Sequence, residues 1–228
     1  MRNIQDRKNP APSRENDLGV PAASTWYQRA YSRWWDWRHR VATSGDIPPE
    51  KLKMRPELQR HSTNYMPTHP RHLRLLFNML PLETGEYTLI DFGSGKGRVL
   101  TMAVSFPFRE VIGIEGAHDL HVLAEANLRR FRGRRLCRSA RSLCLDVRSF
   151  PIPPVKSVYY FFHPFAEPVM LSVLHNICRS LQETPRDCFL VYVNAELKVL
   201  VENTGMFELF ASSTYSSIWR FARATPKS

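Results

Sequence analysis

From residue 87 onward, apolar positions fall into short runs and longer helical stretches that alternate along the chain. Apolar runs at 87–92, 110–114, 142–146, 157–162 and 187–193 predict strands, apolar on both faces as in a buried parallel sheet. Between them, apolar spacing near 3.6 predicts helices over 119–131, 167–182 and 195–203. Val99, Leu100, Met102, Ala103 and Val104 form the apolar face of a further helix directly after the first strand. Phe207–Ala211 and Ser216–Ala222 read as two strands joined by a Ser/Thr-rich turn. A βα series that ends on a hairpin predicts an α/β fold with a mostly parallel sheet and an antiparallel edge.

The first 61 residues follow another pattern. Residues 1–23, with Pro10, Pro12, Pro21 and few apolar side chains, are expected to be a disordered tail. Thr25 and Gln28 offer a capping box that opens a helix through Trp26, Tyr27, Tyr31, Trp34, Trp35 and Trp37. Helical spacing sets Tyr27, Tyr31, Trp34 and Trp35 on one stripe, read first as packing on the domain. A substrate lid and a Trp/Arg helix touching a membrane interface are the sharper alternatives. Residues 42–61 read as a Pro- and charge-rich linker, so the chain divides into a tail (1–23), a helical extension with linker (24–61) and an α/β domain (62–228). Just before the first strand, Thr68 is a candidate N-cap and Pro70 a first-turn residue for a helix carrying Leu73, Leu76 and Phe77.

Candidate chemistry concentrates at 89–97, Leu-Ile-Asp-Phe-Gly-Ser-Gly-Lys-Gly. Gly93, Gly95 and Gly97 let the backbone turn sharply and approach a ligand without a Cβ in the way. A dinucleotide loop needs a third glycine three residues past the second, where this chain has Arg98. A P-loop needs Gly-Lys-Ser/Thr, yet Lys96 is followed by Gly97 and Arg98. Pyrophosphate ligands are therefore disfavoured. The acid Asp91 beside the loop would repel phosphate and suits a cationic amino-acid moiety.

These residues resemble the class I, seven-strand, Rossmann-like methyltransferases that use S-adenosylmethionine (SAM), and are similar to uncharacterised bacterial members. The resemblance spans roughly residues 62–223. The first station is Asp91–Gly97, which resembles the family's glycine-rich motif around the methionine half of SAM. In the second, Glu115 closes the strand Glu110–Ile114 and looks like the acid that holds the ribose hydroxyls. The third, Leu145-Asp146-Val147, resembles the segment that meets adenine. The fourth, Tyr159–Phe165, looks like the strand and loop that present the methyl acceptor. The resemblance implies a three-layer sandwich with strand order 3-2-1-4-5-7-6, an antiparallel edge strand and an N-terminal helical extension. It implies SAM as cofactor, held by Tyr65, Thr68, Asp91, Gly93, Ser94, Gly95, Gly97, Glu115, Asp146 and Val147. On the acceptor side it implies His163, Pro164 and Phe165. His163 stands where amine-directed members carry Asn, Asp or Ser, and serves either as proton acceptor or in local hydrogen bonding. The implied reaction is in-line methyl transfer to an acceptor not fixed by the sequence, a protein lysine or other nitrogen foremost. A small-molecule or lipid-headgroup methyltransferase, and a non-catalytic SAM- or nucleic-acid-binding module, are the alternatives.

Composition adjusts this picture at its edges. With 228 residues, 43% hydrophobic, the chain can bury one substantial core. The net charge of +11, with Arg129, Arg130, Arg132, Arg134, Arg135, Arg138, Arg141 and Arg148 clustered, admits a nucleic-acid partner, though no recognition motif accompanies it. Cys137, Cys144, Cys178 and Cys188 show no C-x-x-C spacing, which supports neither zinc nor a redox pair, and Cys144 and Cys188 are expected to be packed thiols. No His/Asp/Glu trio at metal-ligand spacing appears near the site, so no metal is expected. A cytoplasmic location is the simplest expectation, with no secretory h-region and no apolar run of about 18 residues. Oligomeric state is not legible.

Overall fold

In a computed structural model, the described residues are 26–60, 65–81, 85–162 and 165–222. The chain enters through α1 (Trp26–His39), a 3-10 turn at Pro49–Lys51, α2 (Pro56–Gln59) and α3 (Pro70–Met79). The α/β series then runs β1 (Thr88–Phe92), α4 (Arg98–Ala103), β2 (Glu110–Glu115), α5 (His118–Arg130) and β3 (Ser139–Cys144). It continues through β4 (Ser157–Phe162), α6 (Glu167–Glu183), β5 (Cys188–Val193), α7 (Lys198–Glu202), β6 (Phe207–Ser212) and β7 (Ser216–Phe221). One seven-stranded sheet forms in the order β3-β2-β1-β4-β5-β7-β6. Pairings are parallel from β3 to β5, and β7 is antiparallel to both β5 and β6. This is the Rossmann-like sandwich with an antiparallel edge pair that the sequence leads one to expect.

Strand periodicity explains the layers. Leu89, Val111, Val158, Tyr160, Phe189 and Val191 pack in one core with Leu73, Leu76 and Phe77 of α3, Leu100 and Ala103 of α4, and Leu128 of α5. The alternate positions Ile90, Phe92, Ile112, Tyr159, Phe161 and Leu190 pack under Met170, Val173, Leu174 and Ile177 of α6. Both faces are apolar because helices cover both, which is why the central strands read as continuous apolar runs. Asp91 lies on the α3–α4 face, paired in register with Tyr160 of β4 and Gly113 of β2.

Several expectations need correcting. Strand β3 spans 139–144 rather than 142–146 and includes Arg141; it is an edge strand with Ser142 its sole buried residue, and such edges tolerate charge. Cys144 is consequently exposed, while Cys188 is buried. Helix α7 is shorter than 195–203, because Asn194 adopts a left-handed φ of 49° and the chain turns there first. The aromatic stripe of α1 is not uniformly packed: Trp35 is 4% exposed, but Tyr27 and Trp34 are 52% and 50% exposed. Thr68 does not cap α3. His69 holds the N-cap position without a side-chain bond, and the buried Thr68 hydroxyl pairs instead with Tyr160 Oη at 2.8 Å. The expected tail (1–23), the capping residue Thr25, and His163 and Pro164 lie outside the described residues.

Candidate active site

Parallel strand order reverses at β1, whose neighbours β2 and β4 lie on opposite sides, and ligands of open α/β sheets bind at such a switch point, beyond the strands' carboxyl ends. A cavity of about 300 Å³ opens there. The loop after β1 forms its floor, with Gly93, Gly95 and Gly97 at φ values of +78°, +54° and +78°. At Gly95 a Cβ would stand 2.1 Å from the Tyr65 ring, so only glycine fits beneath that ring. Gly97 has a different task. It is absent from the cavity wall and packs against Ala124, where a Cβ would come within 3.1 Å.

Two carboxylates face this loop from the ends of β1 and β2. Glu115 Oε2 accepts from Gly95 N at 2.7 Å and Oε1 from Ala117 N at 2.8 Å, tying the glycine loop to the start of α5. Burial pushes its pKa up, partly offset by those backbone N–H groups. Asp91 is 2% exposed, and its Oδ2 has no partner among the described residues. Burial first, and the charge of Glu115 second, raise the Asp91 pKa well above the carboxylate range. Ser94 Oγ and Arg98 Nη1, also from residues lining this cavity, are buried without partners too.

Of the residues expected to hold SAM, Tyr65, Thr68, Asp91, Gly93, Ser94, Gly95, Glu115, Asp146 and Val147 all line this one cavity, as does Phe165 from the acceptor side. Asp146 is already engaged: it caps the 3-10 turn at 147–149 and accepts from Arg148 Nη2 at 2.7 Å. Burial raises its pKa, but the Arg148 hydrogen bonds outweigh that and leave it lowered.

The N-terminal segment contributes what the sequence pattern did not reveal. Asp36 of α1 accepts from Thr43 N at 2.8 Å, Thr43 Oγ1 at 2.7 Å and Arg98 Nη2 at 3.1 Å. Arg98 Nε donates to Thr43 Oγ1, and its guanidinium sits 5.0 Å from the Trp35 ring centroid. Lys96 Nζ donates to the carbonyls of Ser44 and Gly45, and Tyr65 Oη to that of Thr43. Residues 36–45 therefore hold the glycine loop from behind, while Leu52, Met54 and Leu58 wall the cavity. The traces in the sequence are faint: Asp36 is the one acid of α1, and 52, 54 and 58 are isolated apolar positions among prolines and charges.

No model of a known protein family matches the chain, and no curated protein matches it either. Solved structures similar to it include a TehB-like SAM-dependent methyltransferase from Corynebacterium glutamicum, 18% identical over 66% of this chain and 86% of that one, with a TM-score of 0.43. A ribosomal protein L11 methylase from Lactobacillus delbrueckii subsp. bulgaricus is 12% identical over 68% of this chain and 79% of that one, TM-score 0.48. The [4+2]-cyclase SpnF is 19% identical over 62% of this chain and 59% of that one, also at 0.48.

Among the described residues, no group of three His, Cys, Asp or Glu side chains is arranged to hold a metal, and no helix is long and apolar enough to cross a membrane.

Proposed function

We propose that the chain is a SAM-dependent methyltransferase and that the cavity beyond β1 and β2 is its cofactor site. The observation that carries this reading is Asp91: a buried carboxylate with an unpartnered oxygen, beside a loop whose Gly95 leaves no room for a Cβ. A buried unpaired acceptor costs about 1–3 kcal/mol and calls for an explanation. A cationic ammonium would supply the missing partner and draw the carboxyl back to its charged form. Glu115 has lone pairs left on both oxygens for a ribose diol. Asp146 and Val147 supply an acceptor and an apolar wall for adenine, in a cavity that Leu52, Met54 and Leu58 also line.

SAM, when bound, supplies a methyl group already activated on a sulfonium, transferred in line as a neutral thioether leaves. The protein's contribution is alignment, which can be worth about 7–11 kcal/mol. The Tyr65 and Phe165 rings offer aromatic faces to positive charge passing toward the acceptor. An amine acceptor attacks as its free base, so it must first shed a proton.

Calorimetry with SAM tests the cofactor site. We expect Gly95→Arg to abolish binding and Glu115→Ala to weaken it by about tenfold or more, on the order of 1.4 kcal/mol. No heat from the folded wild-type chain would overturn the reading.

A further inference from the structure

We propose that a second cavity, between α1 and α3, receives the methyl acceptor, and that this acceptor is a small molecule bearing a carboxylate or phosphate together with an N–H or O–H nucleophile. The inference rests on the reading of the first cavity as the SAM site. The second measures about 460 Å³, within the range of small-molecule pockets, and shares Met66, Pro67, Thr68 and Phe162 with the first. The two are adjacent, meeting at these four shared residues.

What distinguishes this space is its polar lining. Six buried side-chain atoms among the described residues have no hydrogen-bond partner, and all six belong to residues lining one of the two cavities. Three belong to Asp91, Ser94 and Arg98 in the first; the other three are His69 Nε2 and both ring nitrogens of His72 in the second. His72 is 1% exposed. Burial, reinforced by neighbouring His69, pulls its pKa down to about 4, so the ring is neutral at pH 7. A neutral imidazole offers one N–H and one lone pair, so its complement must accept one hydrogen bond and donate another. The charges on the lining favour an oxyanion as the acceptor group: among the described residues that line it, Arg29 and Arg33 of α1 stand against the single acid Asp46. Arg71 and Arg98 add to that field, since both press the His69 pKa down after burial itself. The donating group is then the nucleophile. Its lone pair forms the bond to the methyl carbon while the carbon–sulfur pair stays on sulfur, and its proton is released to water. His72 is a positioning residue for this step.

The test uses the full chain, radiolabelled SAM and a bacterial extract split into ultrafiltered small molecules, protein and lipid. Label is expected in the small-molecule fraction. Arg33→Glu, an exposed change on α1, should cut that transfer by about tenfold at limiting extract, and His72→Phe by more, while the calorimetric Kd for SAM moves less than about twofold in both. Inorganic phosphate should compete with the extract and not with SAM. Label confined to protein or lipid, no label from a chain that binds SAM, or wild-type transfer by Arg33→Glu would each overturn the proposal. Loss of SAM binding by the wild-type chain would instead overturn the cofactor reading beneath it.

Discussion

Two buried arginines lie at opposite ends of the sheet and show what each end is for. Arg186, just before β5, is 5% exposed, and every nitrogen of its guanidinium is used. It donates to the carbonyls of Pro153, Val155, Ser180 and Thr184, to Ser180 Oγ and to Tyr159 Oη. Arg98, beyond the carboxyl end of β1, is 2% exposed and paired with Asp36, yet Nη1 has no partner among the described residues. The same side chain is complete where it joins strand entries and incomplete where it borders a cavity. A buried polar group that is fully satisfied serves the fold; one left unsatisfied is a cost that a ligand can remove. The largest effect should come from breaking the satisfied end. Arg186→Met leaves several carbonyls without donors and should cost about 3–5 kcal/mol in urea unfolding, with SAM affinity per folded molecule unchanged.

At the other end, His72 should give the next largest effect, and it is read through pH. Its pKa falls from 6.5 to about 4 in the folded chain through burial and His69. Between those values the unfolded chain binds a proton that the folded chain refuses. Stability is therefore complete above about pH 6.5 and declines as pH drops toward 4, by up to about 3 kcal/mol. The other groups around this ring are His69, the Tyr215 ring at 5.8 Å and the cavity's Arg29, Arg33 and Asp46. Urea midpoints at pH 7 and pH 4.5 should converge in His72→Phe; an unchanged gap would assign the loss to other groups.

Asp91 separates stability from binding. Its folded pKa is raised, so its contribution is favourable at low pH and is lost as pH rises through that value. Asp91→Asn replaces a carboxyl whose ionisation burial opposes with a group that need not take up a proton on folding, and the SAM-free protein should gain about 1 kcal/mol at pH 7. The same change should weaken SAM binding by about tenfold or more, since an amide is a poorer partner for an ammonium than a carboxylate. A thermal scan paired with calorimetry reads both. Lost stability would mean that Asp91 is structural, as Arg186 is.

The contrast between the two ends also explains what the sequence discloses. The central strands and the Asp91–Gly97 loop are legible because local pattern and tertiary role coincide: alternate residues serve two covered faces, and successive glycines serve one turn. Asp36, Thr43 and Ser44 were not legible as parts of the site, because their bonds to Arg98 span 62, 55 and 54 residues and no local period encodes them. His69 and His72 were hidden for a different reason. They sit at the start of an apolar helix, where the hydrophobic pattern of Leu73, Leu76 and Phe77 dominates, and only the i, i+3 spacing places the two rings on one face. Strand β3 starts three residues before its apolar run because an edge strand with one buried residue leaves little apolar signal.

The smallest effect tests the exposed rim where the two behaviours meet. Asp146 lines the cofactor cavity, yet both its oxygens accept from Arg148, through Nε at 3.1 Å and Nη2 at 2.7 Å. The Arg148 side chain is 38% exposed, so solvent screens the pair and Arg148→Ala should change stability by less than about 1 kcal/mol. Oδ1 also accepts from Arg148 N at 3.0 Å, and the Nε bond is shared between the two oxygens, so a further donor on Asp146 would displace one half of that shared bond. If Asp146 reads the exocyclic amine of adenine, Arg148→Ala should shift SAM affinity by no more than about threefold. Asp146→Ala should then narrow the preference for SAM over its inosine counterpart, whose exocyclic C6 oxygen cannot donate; one hydrogen bond to a charged acceptor is worth about 1.5–3 kcal/mol. Equal discrimination by wild type and Asp146→Ala would make Asp146 a turn residue, fully satisfied by Arg148 and belonging with Arg186 to the fold.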